Sequence, residues 1–197
     1  MSRPKTYPED IRRKMILDAA RKVLAKRGYQ DMQLDEVAKK ARTAKGTLYL
    51  YFKDKMDLLA GVFMDILDML DERIAGAPRK KDALMTLSGI TKEVLEFIEE
   101  HQDFFTGFIG GHPDMMRTKA GEKTQARYGR HLELVADRIQ DCVKQGSLRK
   151  HDALSGALYF DNMVRFFILN KDLVESRGSI TKKTREFIML LTQGLGR

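Results

Sequence analysis

The sequence predicts an all-α fold, on three observations. Apolar residues recur at three- and four-residue spacing along most of the 197 residues. No sustained alternation of period two bounded by hairpin turns is present. The four prolines, Pro4, Pro8, Pro78 and Pro113, all fall between the periodic segments and act as punctuation. There is no internal repeat or low-complexity tract, and the length suits one domain or two small ones.

The first helix starts at Pro8-Glu9-Asp10, which sets acids on the positive end of the helix dipole. Its apolar stripe is Ile11, Met15, Ala19 and Val23, flanked by Ile16, Ala20 and Leu24. Arg12, Arg13, Lys14, Arg21 and Lys22 stay outside. Gly28 in "KRGYQ" is the expected left-handed cap. "LDEVAKKA" forms a short second helix with Leu34, Val37, Ala38 and Ala41 inward, and a short polar turn leads into "KGTLYLYF". A long helix, "DKMDLLAGVFMDILDMLDERI", follows with Asp54 as N-cap and Leu59, Phe63, Ile66, Leu67 and Leu70 as its stripe.

"GAPRKKD", residues 76–82, breaks the chain. The next helix, "ALMTLSGITKEVLEFIEEH", carries Leu84, Leu87, Ile90 or Thr91, Val94 and Ile98 inward. "DFFTGFIGGHPDMM" reads as a short helix, a turn and a further helix start. A helix from near Thr124 to Gln145 has Leu132, Val135, Ile139 and Val143 on one face, and "GSLRKHD" stops it. The helix from Ala153 to Asn170 has two apolar stripes: Ala157, Phe160, Val164 and Phe167, and then Tyr159, Met163 and Phe166. Apolar on two sides, it needs two neighbours, one of them the chain's own core and the other a second subunit. The last helix, from Thr181 to near Leu195, offers Phe187, Ile188 and Leu191.

Charge narrows the function. The formal net charge is +8, and residues 1–55 hold 15 Lys and Arg against 7 Asp and Glu, whereas residues 56–197 hold 21 of each sign. The whole excess sits in the first quarter of the chain, which is an electrostatic footprint for a polyanion; a solvated lysine-rich face is the alternative on charge alone. No apolar run approaches a bilayer span, so no membrane role is expected. The basic N-terminus is not followed by a signal-peptide core. One cysteine, Cys142, excludes an intramolecular disulfide or a cysteine zinc cluster. A cytoplasmic protein is the expectation.

The second and third helices have helix-turn-helix spacing. In "KGTLYLYF", Leu48 and Phe52 are four apart and face the core, while Lys45, Thr47, Tyr49 and Tyr51 face out. A lysine, a hydroxyl and two phenols on one exposed side reach phosphates and base edges without burying a lone charge. The alternative is an ordinary helical hairpin with exposed tyrosines.

The stretch "DEVAKKARTAKGTLYLYFKDKMDLL" resembles the DNA-binding signature of TetR-family (tetracycline-repressor-like) transcriptional regulators, in detail from Ile11 to Leu59 and beyond that only in length and helical layout. The resemblance implies a homodimer with about nine helices per chain. A three-helix domain over residues 1–55 binds double-stranded operator DNA, and a helical bundle over residues 56–197 dimerises and holds a small-molecule effector. Ligand binding moves the fourth helix and spoils the spacing of the two recognition helices. Carried over by position, Lys45 and Thr47 contact base and phosphate, Tyr49 touches base or backbone, and Tyr51 sits on a phosphate. Lys55 clamps a phosphate with help from the helix dipole, and Gly46 lets the backbone come close to DNA. Three positions depart from the family pattern. Arg42 stands where glycine supplies a positive φ, at a cost of about 1 kcal/mol if that angle persists, and its guanidinium can reach a phosphate. Thr43 is placed to cap the recognition helix in place of a serine. Gln33 replaces the usual Thr or Ser cap of the second helix.

The effector chamber is expected around Phe63, Thr91, Phe104, Phe105, Phe108, Met115 and Met116, adaptable apolar walls for an apolar or amphipathic ligand; plain core packing is the alternative for each. The subunit interface is expected at Tyr159, Met163 and Phe166, together with Val135 and Ile139. No catalytic grouping is legible, so an enzyme is not expected. No cofactor is expected either, and His101, His112, His131 and His151 share no metal-ligand spacing. Cys142 reads as a small buried hydrophobe. "GFIGG" lacks the lysine and the preceding strand of a phosphate loop. His112-Pro113-Asp114 also occurs in the J-domains of chaperone partners, but the basic helix that should precede it is replaced by "DFFTGFIGG", and proline opening a helix accounts for it. A helical adaptor using that tripeptide has no reason to concentrate its positive excess before Met56.

Overall fold

The computed structural model describes residues 7–109, 119–170 and 180–193, leaving outside that description the side chains of residues 106–109, 119–120, 167–169 and 180–181. Among the described residues the chain is all-α. The helices are α1 (Glu9–Asp31), α2 (Leu34–Lys40), α3 (Lys45–Tyr51), α4 (Lys55–Gly76), α5 (Ala83–Glu100), α6 (Gln102–Ile109), α7 (Lys119–Lys144), α8 (Ala153–Leu169) and α9 (Ile180–Gln193). They fall into two compact units, Met1–Ile66 with Asp103–Thr124, and Leu67–Gln102 with Gln125–Arg197.

In the first unit α1 packs on α2 and α2 on α3. The buried face of α1 is Ile16, Leu17, Ala19, Ala20, Val23 and Leu24. The predicted stripe is thus rotated: Ile11 is 45% exposed, and Leu17 is buried instead. Gly28 does take positive φ, 70°, but its ψ of 173° is extended; the chain kinks there and one more helical turn follows to Asp31. Val37, Ala38 and Ala41 of α2 are buried, with Leu34 only half-buried. Seven residues of α3 are too few to be stable alone. Their stability comes from Leu48 and Phe52, 0% and 2% exposed, each worth about 1.5–3 kcal/mol on burial. A side chain at Gly61 of α4 would lie 2.8 Å from the Phe52 ring and 3.1 Å from Leu17, so glycine there is what lets α4 close over both.

The turn between α2 and α3 is a Schellman motif. Arg42 N–H donates to Lys39 O at 3.2 Å and Thr43 N–H to Ala38 O at 3.0 Å. The residue between the two, Arg42, has φ 54° and is the one non-glycine with positive φ among the described residues. The backbone has therefore kept the angle that glycine normally supplies. Asp54 caps α4: its Oδ1 accepts from Asp57 N–H at 2.8 Å, and Asp57 accepts from Lys53 N–H at 3.0 Å.

In the second unit α9 and α8 both pack against α5. Asp82 caps α5, accepting from Met85 N–H at 3.0 Å. Both Ile90 and Thr91 are buried, whereas Leu84 is half-buried. On α7 the buried line is Leu132, Val135, Ile139 and Cys142, with Val143 at its edge. Val135 and Ile139 are 1% and 0% exposed within a single chain. They are therefore core residues, which corrects their assignment to a subunit interface. The reason lies on α8, where Gly156 brings its backbone so near that a Cβ would stand 2.9 Å from Ile139. The two-stripe reading of α8 holds where it is described: Ala157, Phe160 and Val164 are buried, while Tyr159 is 71% and Phe166 55% exposed and Met163 is half-buried. The Phe167 side chain lies outside the described residues.

Buried charge in this unit is mostly paired. Arg127 of α7 binds Asp68 and Asp71 of α4, each at 2.7 Å, and His131 Nδ1 lies 2.5 Å from Asp71. Burial pushes the Asp71 carboxyl up, but the hydrogen bonds and charges of His131 and Arg127 outweigh it and hold the group below the usual carboxylate range.

Replacing Arg42 by Gly removes the left-handed strain and is expected to raise the unfolding free energy by about 0.5–1 kcal/mol, the gain being reduced by glycine's greater freedom when unfolded. Chemical denaturation of the two proteins measures it; a less stable variant would mean that the Arg42 side chain holds the turn.

Candidate nucleic-acid interface

The Schellman turn ends α2 and delivers Ala44 in extended conformation, φ −75° and ψ 149°, as the N-cap of α3. Ala44 has no side-chain oxygen, and α3 has no side-chain cap. Thr43 is one residue too early to serve, because the turn commits its N–H to Ala38; the expected Thr43 cap is not formed. Gln33 does occupy the N-cap position of α2, with its carbonyl accepting from Glu36 and Val37 N–H at 3.1 and 3.2 Å. Its side chain makes no cap bond and is exposed.

With Leu48 and Phe52 anchored inside, the rest of α3 turns outward. Tyr49 is 46% exposed, Thr47 and Tyr51 are half-buried, and Lys45 and Gly46 are exposed. A Cβ at Gly46 would meet no atom of the chain within 4 Å, so nothing inside the described part of the protein requires glycine there. The Lys45 ammonium is 2.9 Å from Asp35 Oδ2 on α2. That hydrogen bond, with the charge of Asp35, raises the Lys45 pKa. A solvent-exposed pair of this kind is readily exchanged for another anion.

Lys55 is held differently. Its Nζ donates to Gln30 O at 3.1 Å and sits 4.3 Å above the Tyr29 ring. Partial burial lowers its pKa, with Asp31 acting in the opposite direction. The ammonium is thus folded back onto the end of α1. Arg42 is exposed beside the turn.

One residue escaped the sequence reading. Leu50 is 83% exposed, the most exposed of the large apolar side chains described. The signal was present: two positions beyond Leu48, it points about 200° away from the buried side of the helix. A bare leucine on this surface is suited to apolar contact with a thymine methyl.

The effector candidates are less complete. Phe104 and Phe105 are 2% and 9% exposed and meet edge to face at 5.4 Å between ring centres, and Phe63 is half-buried in the same unit. Thr91 belongs to the other unit, is fully buried, and donates its hydroxyl to Leu87 O at 2.8 Å. Met115, Met116, the Phe108 side chain and His112-Pro113-Asp114 lie outside the described residues. Burial, reinforced by Asp141 and Asp82, pushes the Cys142 thiol up to about 11, so it behaves as a hydrophobe. No metal-ligand cluster occurs among the described residues, and no described helix is long and apolar enough to cross a membrane.

This geometry is that of a helix-turn-helix DNA-binding regulator. Residues 16–62 match the profile of bacterial regulatory proteins of the tetR family. The chain is 30% identical over 147 residues to the uncharacterised HTH-type transcriptional regulator YhgD of Bacillus subtilis (strain 168), a match covering 72% of this chain and 74% of that one. It is 44% identical over 59 residues to a fatty acid metabolism regulator protein of the same organism, which spans only 30% of the length of either protein. Its fold is similar to that of the transcriptional regulator FadR from Bacillus subtilis in complex with stearoyl-CoA, with a TM-score of 0.77, 20% identity, and coverage of 93% of this chain and 99% of that one. The chain belongs to the tetR family of bacterial transcriptional regulators.

Replacing Asp35 by Asn releases Lys45 and is expected to tighten binding to random duplex DNA and to steepen its logarithmic salt dependence by about one unit. Fluorescence anisotropy over a salt series reads the slope; an unaltered slope removes Lys45 from the phosphate contacts.

Proposed function

We propose that the protein is a homodimeric, effector-released repressor of transcription that acts in the cytoplasm. In this reading residues 1–55 grip operator DNA and residues 56–197 dimerise and bind the effector. The observation that carries it is the outward face of α3, where Tyr49 and Leu50 project while Leu48 and Phe52 lock the helix from behind. In a dimer, two such helices enter successive major grooves about 34–36 Å apart on a near-palindromic site. Lys45, Thr47, Tyr49 and Tyr51 supply base and phosphate contacts, Gln33 and Arg42 flank them, and Gly46 admits the backbone. The positive excess of residues 1–55 supplies the salt-dependent share of affinity.

The effector in this reading is an acyl-coenzyme A thioester. FadR, which shares the fold, was crystallised with stearoyl-CoA, and the apolar side chains of Phe104, Phe105 and Phe63, all in one unit, are chemically in keeping with an acyl chain. The interface between subunits is the outer stripe of α8, Tyr159, Met163 and Phe166. Exposed aromatic side chains in one line along a helix are an unfilled apolar face in the isolated chain.

Selection of duplexes from a random pool at moderate salt is expected to yield a palindromic consensus. On that consensus Tyr49→Ala should weaken specific binding by roughly 1–3 kcal/mol with little change on random DNA, and stearoyl-CoA, but not free coenzyme A, should release the duplex. Recovery of only sequence-neutral DNA would refute operator recognition.

Replacing Tyr159 and Phe166 together by Glu is expected to give a folded monomer by light scattering with unchanged helical circular dichroism. That monomer should bind half-sites without the gain that two linked recognition helices provide. A stable dimer would place the interface elsewhere.

A further inference from the structure

We infer that the unit formed by Leu67–Gln102 and Gln125–Arg197 carries a binding site for a phosphoryl group, in a cleft between the segment joining α4 to α5 and the last turns of α7. Arg79, Lys80 and Thr86 line one side, and Arg138, Asp141 and Gln145 the other, around a space of about 160 Å³. The inference rests on this cleft alone and stands apart from the operator and the acyl effector.

Arg138 is the reason. It is 6% exposed, and its Nε and Nη1 are buried with no hydrogen-bond partner. Among the described residues it forms no ion pair, although Asp141 lies one turn along the same helix. Two other arginines of this unit, Arg127 and Arg73, are neutralised. Arg127 meets both Asp68 and Asp71, although its Nη1 lacks a partner. Arg73, in a larger cleft of about 440 Å³ with Met69 and Phe97, is forked by Glu100 at 2.9 and 3.0 Å. A guanidinium does not shed its proton in a protein. A buried one with unpartnered nitrogens and no ion pair is unfavourable, and an anion entering the cleft resolves it.

The surroundings define which anion. Arg79, Lys80 and Arg138 against Asp141 leave two uncompensated positive charges, which match the dianionic state of a phosphoryl group near neutral pH. The neutral polar groups are already committed. Gln145 Oε1 accepts from Ala83 N–H at 2.8 Å, and its Nε2 donates to Lys81 O at 3.2 Å. Thr86 Oγ1 accepts from Lys80 N–H at 2.8 Å. The N-terminus of α5 is closed by Asp82. These bonds hold the walls in place before any ligand arrives, and the cationic nitrogens are what remains to bind. The volume equals that of roughly five waters: room for a tetrahedral oxyanion, not for a nucleoside. A free phosphate and the phosphate of a larger monoester share this chemistry.

Full-length protein in phosphate-free buffer is titrated calorimetrically with inorganic phosphate and with adenosine 5′-monophosphate, and its thermal unfolding is followed alongside. Sodium chloride and sodium acetate at matched ionic strength serve as controls. Saturable binding is expected, with a Tm rise of roughly 5–10 °C once phosphate exceeds its Kd about 100-fold. Tighter binding of inorganic phosphate identifies the free ion as the occupant, and tighter binding of the nucleotide identifies a monoester; either supports the site. The double variant Arg79→Ala/Lys80→Ala alters exposed residues and, unlike Arg138→Gln, leaves the buried side chains unchanged. It should weaken binding at least about tenfold, the loss expected when charge-assisted contacts are removed. A phosphate response no larger than that of chloride, an equal response to acetate, or wild-type affinity in the double variant overturns the assignment.

Discussion

The first unit depends on one turn. Between Lys39 and Thr43 the chain must end one helix, reverse its direction and present the next at an angle that lets Leu48 and Phe52 reach the core. The two Schellman hydrogen bonds close that turn, and they require a residue in the left-handed region between them. Here that residue is Arg42. Because the bonds and the burial of α3 over-determine the angle, the chain retains it without glycine. Everything functional on α3 follows from this. Its seven residues have no cap of their own, and only the depth of Leu48 and Phe52 decides which side chains are left for a partner.

Charge is paired in two ways in this chain. In the first unit two pairs are exposed and exchangeable: Lys45 with Asp35, and Arg27 with Glu36 at 3.6 Å. Such pairs keep a basic surface from repelling itself while a polyanion can still displace the acid. In the second unit one set of pairs is largely buried and mutually dependent. Arg127, Asp68, Asp71 and His131 tie α4 to α7, and Tyr128, which donates to Asp161 on α8 at 2.5 Å, extends the tie to a third helix. Removing one member of such a set strands its partner, so these contacts favour discrete arrangements of α4 over gradual ones. Discrete states are what a regulator needs if an effector is to shift the spacing of its recognition helices.

Much of the DNA-binding surface was legible because it rests on local rules. Leu48 and Phe52 are four residues apart, so their common burial followed from helical period alone, as did the exposure of Tyr49. Leu50 was equally legible, but apolar residues invite a core assignment. Thr43 misled because its hydroxyl suits a cap, and its rank in the turn depends on hydrogen bonds the sequence does not display. Lys55 sits where the family signature places it, yet its ammonium meets Tyr29 and Gln30, distant in sequence.

By itself, the sequence determined the helices, most of their inward faces and the location of the basic excess, because helical period, caps and charge are properties of neighbouring residues. It also determined that α8 has two apolar sides. Only the tertiary structure decided that Val135 and Ile139, opposite α8, belong to the chain's own core. The glycine at 156 lets α8 lie against Ile139, which seals Val135 and Ile139 inside and leaves Tyr159 and Phe166 outside. The isolated charge of Arg138 was likewise invisible in the sequence. Whether a buried cation has a partner depends on side chains that meet only when separate helices pack, and no spacing along the chain reports that.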